Sequence, residues 1–121
     1  MSLGLLLGIG VVGAAGAVGR FLLDGAVAGQ VGRSFPWGTL VVNIAGAFLL
    51  GALVAANLGA DALRLAGTGV LGSFTTFSTW VLESHRLGEE GQLRLGIANF
   101  LISLVLGISA VWLGRQLGTV L

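Results

Sequence analysis

The sequence predicts an all-α membrane protein with four transmembrane helices, and three observations predict it. Of its 121 residues, 55% are hydrophobic and only 9% are charged, against about 25% charged in an ordinary soluble domain. A chain this short keeps much of its surface exposed, and six arginines with five acids cannot cover it, so the solvent for most of that surface must be lipid. The charges also fall in a pattern: residues 1–19, 34–60, 65–82 and 95–114 carry none. An α-helix needs ~20 mostly apolar residues to cross a bilayer, so each of these stretches is one span. Finally, 22 glycines are scattered through the apolar stretches. In a membrane, such small residues let helix backbones approach closely.

The spans are expected at about 3–28, 37–59, 63–86 and 92–117, forming a single domain over 1–121. Turn formers separate them: Gly29, Gly32 and Pro36, then Gly59, then Gly88 and Gly91. The apolar N-terminus has no basic segment ahead of it, so it reads as the first span, not a signal peptide. With no cysteine, neither a disulfide nor a thiolate metal site is possible. His85 is the only histidine, and a net charge of +1 is far from that of a nucleic-acid binder.

In the first span, Gly4/Gly8 and Gly25/Gly29 have GxxxG spacing, as Gly114/Gly118 do in the fourth; tight helix packing is the plain reading. Arg20 lies inside the first span, and Asp24 follows four residues later, so the two can pair at the interface. The second span sets Thr39, Asn43 and Gly46 on one face, and the fourth does the same with Asn99, Ser103 and Gly107. Polar groups at membrane depth mark either a pathway or a hydrogen bond that joins helices.

The third span carries the strongest local signal. From Gly67 to Trp80, glycines and hydroxyl residues alternate through Gly69, Gly72, Ser73, Thr75, Thr76, Ser78 and Thr79. Glycine and β-branched threonine both disfavour regular helix, which predicts a break near Gly72 to Thr76. Broken backbone at membrane depth must be buried in protein or line a cavity. Its carbonyls suit a hard cation and its hydroxyls and amides suit an anion; a purely structural kink is the alternative.

Orientation is weakly specified. Arg64 and Arg115 fall on one side, Arg33, Arg86 and Arg94 on the other, with Arg20 inside the span towards the second side. So small a bias permits insertion both ways up and hence an antiparallel homodimer. Four short helices leave no room for a wet pore, so a permeation path belongs between subunits. No acid lies mid-span, because Asp24 and Glu83 sit near span ends.

Taken together, Gly13-Ala-Ala-Gly-Ala-Val-Gly-Arg20-Phe21, Trp37-Gly-Thr39-Leu-Val-Val-Asn43-Ile-Ala-Gly46, Gly72-Ser-Phe-Thr-Thr-Phe-Ser-Thr-Trp80 and Asn99-Phe-Leu-Ile-Ser103 resemble the Fluc (CrcB) family of fluoride channels. The resemblance runs through nearly the whole chain in order. It implies a dual-topology antiparallel homodimer in the inner (plasma) membrane, the third helix broken, with two fluoride pores. It further implies a structural sodium ion (Na+) at the dimer centre, held by backbone carbonyls of Gly72 and Thr75 from each subunit. The pathway it implies uses Asn43, Thr39, Ser103 and the aromatic pair Phe77 and Trp80, where Trp80 replaces the commoner phenylalanine. Ser78 and Thr79 would add hydroxyls, and Arg20 would attract anions at the aqueous mouth. Aromatic ring edges carry partial positive charge and can face an anion.

The expected activity is passive fluoride export, without catalysis. One rival is a small proton-coupled drug exporter, which needs a mid-membrane carboxylate in the first span. Another is a non-transporting membrane scaffold, which leaves the hydroxyls of the third span unexplained. An intramembrane enzyme would need a Ser/His pair or paired carboxylates, which the spans do not supply.

Overall fold

The computed structural model describes all residues, 1–121. The structure is entirely helical and contains no strand. In chain order the elements are α1 (Leu3–Val31), α2 (Trp37–Ala55), α3 (Ala60–Leu63), a π-helix (Arg64–Leu71), α4 (Gly72–Phe74), α5 (Ser78–Glu89) and α6 (Leu93–Gly118). Three helices are long and apolar enough to cross a membrane: α1, α2 and α6. The region from Ala60 to Glu89 is divided, since Thr75 takes an extended conformation (φ −79°, ψ 158°) between α4 and α5.

Local chemistry accounts for the ends. Ser2 caps α1 by accepting a hydrogen bond from the Leu5 N–H at 3.1 Å. Gly32 stops that helix with φ +80°, a backbone state that costs glycine little. Pro36 precedes α2, where its missing N–H is no loss, and its carbonyl accepts from the Leu40 N–H. The connector between α1 and α2 is tied down by Phe35, buried, whose ring lies 4.7 Å from Trp37.

α2 packs chiefly on α6, α1 lies against the π-helix, α4 and α2, and α5 lies against α6. Glycine makes two of these contacts possible, α2 on α6 and α1 on the π-helix. A methyl group on Gly114 would overlap the Phe48 carbonyl, one on Gly51 the Val111 carbonyl, and one on Gly16 the Val70 carbonyl. Backbone therefore meets backbone, and dispersion contacts replace the hydrophobic drive that lipid cannot provide. Of the three GxxxG pairs, Gly114/Gly118 packs in this way against α2, whereas Gly25 and Gly29 face open space. Gly8 meets only the Leu65 side chain, and Gly4 only its own capping serine.

Only 20 of the 121 residues are buried within the chain, and the largest fully buried side chains are Leu87, Val42 and Asn99. Leu3, Val11 and Phe21 on α1 are each more than 70% exposed. In water so much bare apolar surface would aggregate; against acyl chains, or against a second subunit, it is the expected outer face. The fold is that of an integral membrane protein.

Candidate functional site

The division after α4 lies against the middle of α2, and Asn43 holds it there. The Asn43 Nδ2 donates to the Thr76 carbonyl at 2.8 Å, and its Oδ1 accepts from the Thr76 N–H at 2.8 Å. One amide side chain thus satisfies both backbone groups of a residue outside any helix, which is costly to leave unpaired in an apolar setting. Gly46, one turn further along the same face, lets Thr75 approach; a methyl there would overlap the Thr75 Cγ2. Thr75 secures the upstream side by donating from Oγ1 to the Leu71 carbonyl at 3.0 Å. Thr76 opens the downstream side: its Oγ1 accepts from the Thr79 N–H at 3.2 Å.

These bonds leave particular backbone groups free. The carbonyls of Gly72 and Thr75 accept no hydrogen bond, and the N–H groups of Phe77, Ser78 and Trp80 donate none. One stretch of chain therefore presents bare carbonyls on one side of the division and the positive end of the α5 dipole on the other. Three or more histidine, cysteine or acidic side chains are nowhere grouped to hold a metal, so a cation here would rely on backbone oxygens. The residues that could hold such a cation are Gly72 and Thr75, through their carbonyl oxygens.

Beside the division runs a groove of about 440 Å³, open towards the outside of the bundle. Its walls bring together Asn43, Gly72, Thr75, Phe77, Trp80 and Ser103 of the residues singled out in the sequence. Phe77 is 72% exposed at its mouth, and its ring meets Trp80 edge-on with centroids 5.4 Å apart. Trp80 in turn stacks on Phe100 at 4.7 Å, and its Nε1 points to the Asn99 carbonyl at 3.4 Å. The indole N–H is thus directed at α6.

Four residues that the sequence placed on the pathway lie off the groove. Ser78 and Thr79 form the first turn of α5 just behind Phe77, Ser78 exposed and Thr79 half-buried. Thr39 is buried, and its Oγ1 donates to the Glu83 carboxylate. Arg20 has a buried Nε with no hydrogen-bond partner. The pairing of Arg20 with Asp24 that their spacing allows is not formed. Asp24 faces Arg33 at 3.7 Å and also touches Gly38, where a methyl would overlap its carboxylate. The turn into α2 folds Arg33 back over α1, and tertiary proximity displaces the helical i,i+4 partner. His85, given no role by the sequence, meets Glu89 at 2.9 Å with both side chains exposed.

Two contributors, Glu83 and Ser84, were given no part in the site by the sequence, and Thr76 was marked only as the end of the expected break. Thr76 sits within the hydroxyl cluster, but nothing local marks it as the residue Asn43 would grip. Ser84 joins a network with Asn99, whose Nδ2 donates to the Ser84 Oγ at 2.7 Å. An α6 asparagine four residues before Ser103 signalled a polar face; its partner on α5 lies 15 positions away in sequence.

The fold and the site define a helical membrane protein whose intramembrane polar groups converge on a helix division, the arrangement of proteins that handle small solutes or ions. The chain belongs to the family described as CrcB-like protein, Camphor Resistance (CrcB), which it matches over residues 7–115. It is 49% identical over 111 residues to the fluoride-specific ion channel FluC 2 of Mycolicibacterium paratuberculosis, covering 92% of this chain and 91% of that one. To the fluoride-specific ion channel FluC 2 of Mycobacterium tuberculosis it is 47% identical over 120 residues, covering 99% and 95%. The fluoride-specific ion channel FluC 1 of Symbiobacterium thermophilum is 47% identical over 116 residues, covering 91% and 94%.

Proposed function

We propose that this chain is a fluoride-selective channel of the plasma membrane, through which fluoride leaves the cytoplasm passively. The observation that carries the reading is likeness to relatives named fluoride-specific ion channels, at 47–49% identity over at least nine-tenths of both lengths. The chemistry of the groove supports it. Fluoride is small and strongly hydrated, so every water it loses must be replaced by a donor. The second Nδ2 hydrogen of Asn43 is uncommitted, the Phe77 edge lies at the mouth, and the α5 N-terminus behind them carries free N–H groups and a partial positive charge. No carboxylate lines the groove, which suits an anion path.

The path we propose is built on Asn43, Phe77, Trp80 and Ser103, with Ser78 and Thr79 at the adjoining helix start. Thr39 lies one turn along α2, next to Glu83, and Arg20 draws anions to the aqueous mouth. Narrow spacing of such donors discriminates against larger halides by fit. The groove is open on one side, which supports a path completed by a second copy. Our proposal is an antiparallel, dual-topology homodimer of four crossings per chain, the third being the divided region Ala60–Glu89. In such a dimer the free carbonyls of Gly72 and Thr75 from both copies would hold a structural sodium ion, whose charge would fix the two divided helices to one another.

Efflux from liposomes reconstituted with the purified protein, followed with a fluoride electrode and with chloride as control, tests the activity. Fast passive loss of fluoride without chloride is the expected result. Verified folded dimers that release neither ion would overturn the reading.

A further inference from the structure

Around Trp80, α5 is gripped from α6 by a set of contacts that the proposed path does not itself use. Asn99 is 1% exposed, and its Nδ2 donates to the Ser84 Oγ at 2.7 Å. Ser84 in turn donates its only hydrogen to the Trp80 carbonyl at 2.9 Å. The Trp80 Nε1 reaches the Asn99 carbonyl at 3.4 Å, and the Phe100 ring lies against the indole at an interplanar angle of 15°. Gly96 completes the grip, since a methyl there would come within 2.7 Å of the Ser84 carbonyl. Asn99 also accepts on Oδ1 from Ser103 at 3.5 Å. Trp80 and Ser103 line the groove, and Asn99 does not.

We infer that Asn99 is a positioning residue, fixing the Trp80 ring from α6 so that the aromatic wall of the groove is stationary and its stance sets ion selectivity. It is 1% exposed and lies off the groove, with Nδ2 turned to α5 and Oδ1 to its own helix, so it does not meet an ion directly. Ser84 must be a hydroxyl, because it accepts from Asn99 and donates to Trp80 in a fixed direction. The indole N–H, turned to Asn99, is not the donor an anion would meet; Trp80 contributes its ring. The selectivity half of this inference rests on the fluoride-channel reading, whereas the fixing of the ring does not.

The test uses the full chain with Trp37→Phe and Trp112→Phe, which leaves Trp80 as the only tryptophan of the original three. Asn99→Leu removes the side-chain bonds to Ser84 and Ser103 at similar volume, leaving the backbone carbonyl that Trp80 Nε1 reaches, and Ser84→Ala removes the α5 partner if Asn99→Leu does not fold. Either change should lower the fluorescence anisotropy of Trp80. It should also reduce the fluoride-to-chloride flux ratio in liposomes by about tenfold, the scale of one buried hydrogen bond. Adding Trp80→Phe should absorb that loss, so that Asn99→Leu then changes the ratio no further. An unchanged anisotropy overturns the inference, as does an equal drop in the ratio with Trp80→Phe present. A parent protein that carries no fluoride overturns the function reading, while the anisotropy still decides whether Asn99 fixes the ring.

Discussion

The two halves of α2 are packed in different ways. Its C-terminal half meets α6 backbone to backbone: the Phe48 and Ala52 carbonyls sit on Gly114 and Gly118, and the Val111 carbonyl sits on Gly51. Its N-terminal half meets α4 and α5 through side chains: Thr39 to Glu83, Asn43 to Thr76, and Gly46 clearing room for Thr75. The first contact is dry and redundant in kind, made of many small dispersion terms. The second is a few directional bonds, each with a single donor and acceptor. A membrane protein needs both: the packed half fixes the frame, and the bonded half holds open backbone that would otherwise be costly in lipid. Substitutions in the packed half should therefore abolish the folded protein, and those in the bonded half should spare the fold while altering transport.

The largest expected effect belongs to the packed half. Gly114→Leu places a side chain where the Phe48 carbonyl lies, and neither backbone can retreat without parting α2 from α6. Overpacking costs typically 1–3 kcal/mol even where flexible neighbours can yield; here the neighbour is backbone. Size-exclusion chromatography should show loss of the monodisperse species. A well-behaved protein with normal flux would mean that the α2–α6 contact is not the frame.

Asn43→Leu comes next and separates the two halves. It strands the Thr76 N–H and carbonyl, each bonded at 2.8 Å in the intact protein, at about 1–3 kcal/mol per buried group. Fluoride efflux should fall by about 100-fold, in keeping with two such losses, while the protein remains folded and assembled. Efflux within a few-fold of the parent would show that the α4–α5 junction holds itself and that Asn43 is not on the path.

Thr39→Val probes the same half more gently, removing the donor to Glu83 at nearly constant volume. A loss of about threefold in fluoride efflux is expected, on the scale of one partly buried hydrogen bond. If efflux is unchanged and only the unfolding midpoint falls, Thr39 serves packing and the path begins at Asn43.

The sequence made the two halves legible to different degrees. Residues 39, 43 and 46 follow helical spacing, so their common face could be read directly. The partner of Asn43 could not, because Thr76 lies 33 positions away and only the tertiary fold brings it near. The glycine and threonine content between Gly67 and Thr79 pointed to irregular backbone. It did not distinguish π-helix from α-helix over Arg64–Leu71, since the two differ by one residue in hydrogen-bond register and not in composition. Arg20 and Asp24 show the converse error: local spacing allowed a pair, and Arg33 took the acid from outside the helix. Asn99 was legible as polar and on the Ser103 face; that its side chain turns to Ser84 depends on how α5 returns against α6.

The smallest expected effect falls on a motif that spacing alone made conspicuous. Gly25 and Gly29 have the same GxxxG spacing as Gly114 and Gly118, yet a methyl on either would meet nothing within 4 Å. Gly25 lies inside α1 and Gly29 in its last turn, and in a helix interior alanine is the better helix former by about 1 kcal/mol. Gly25→Ala with Gly29→Ala should therefore leave the unfolding midpoint of the protein unchanged or slightly raised, and fluoride efflux unaltered. A clear drop in the midpoint would mean that something outside the chain sits on this face in the assembled protein. A drop that grows as the protein is diluted would identify that contact as a second copy, because only an intermolecular contact responds to concentration. Spacing marks a glycine pair as able to pack; only the carbonyl facing it, as Phe48 faces Gly114, shows that it does.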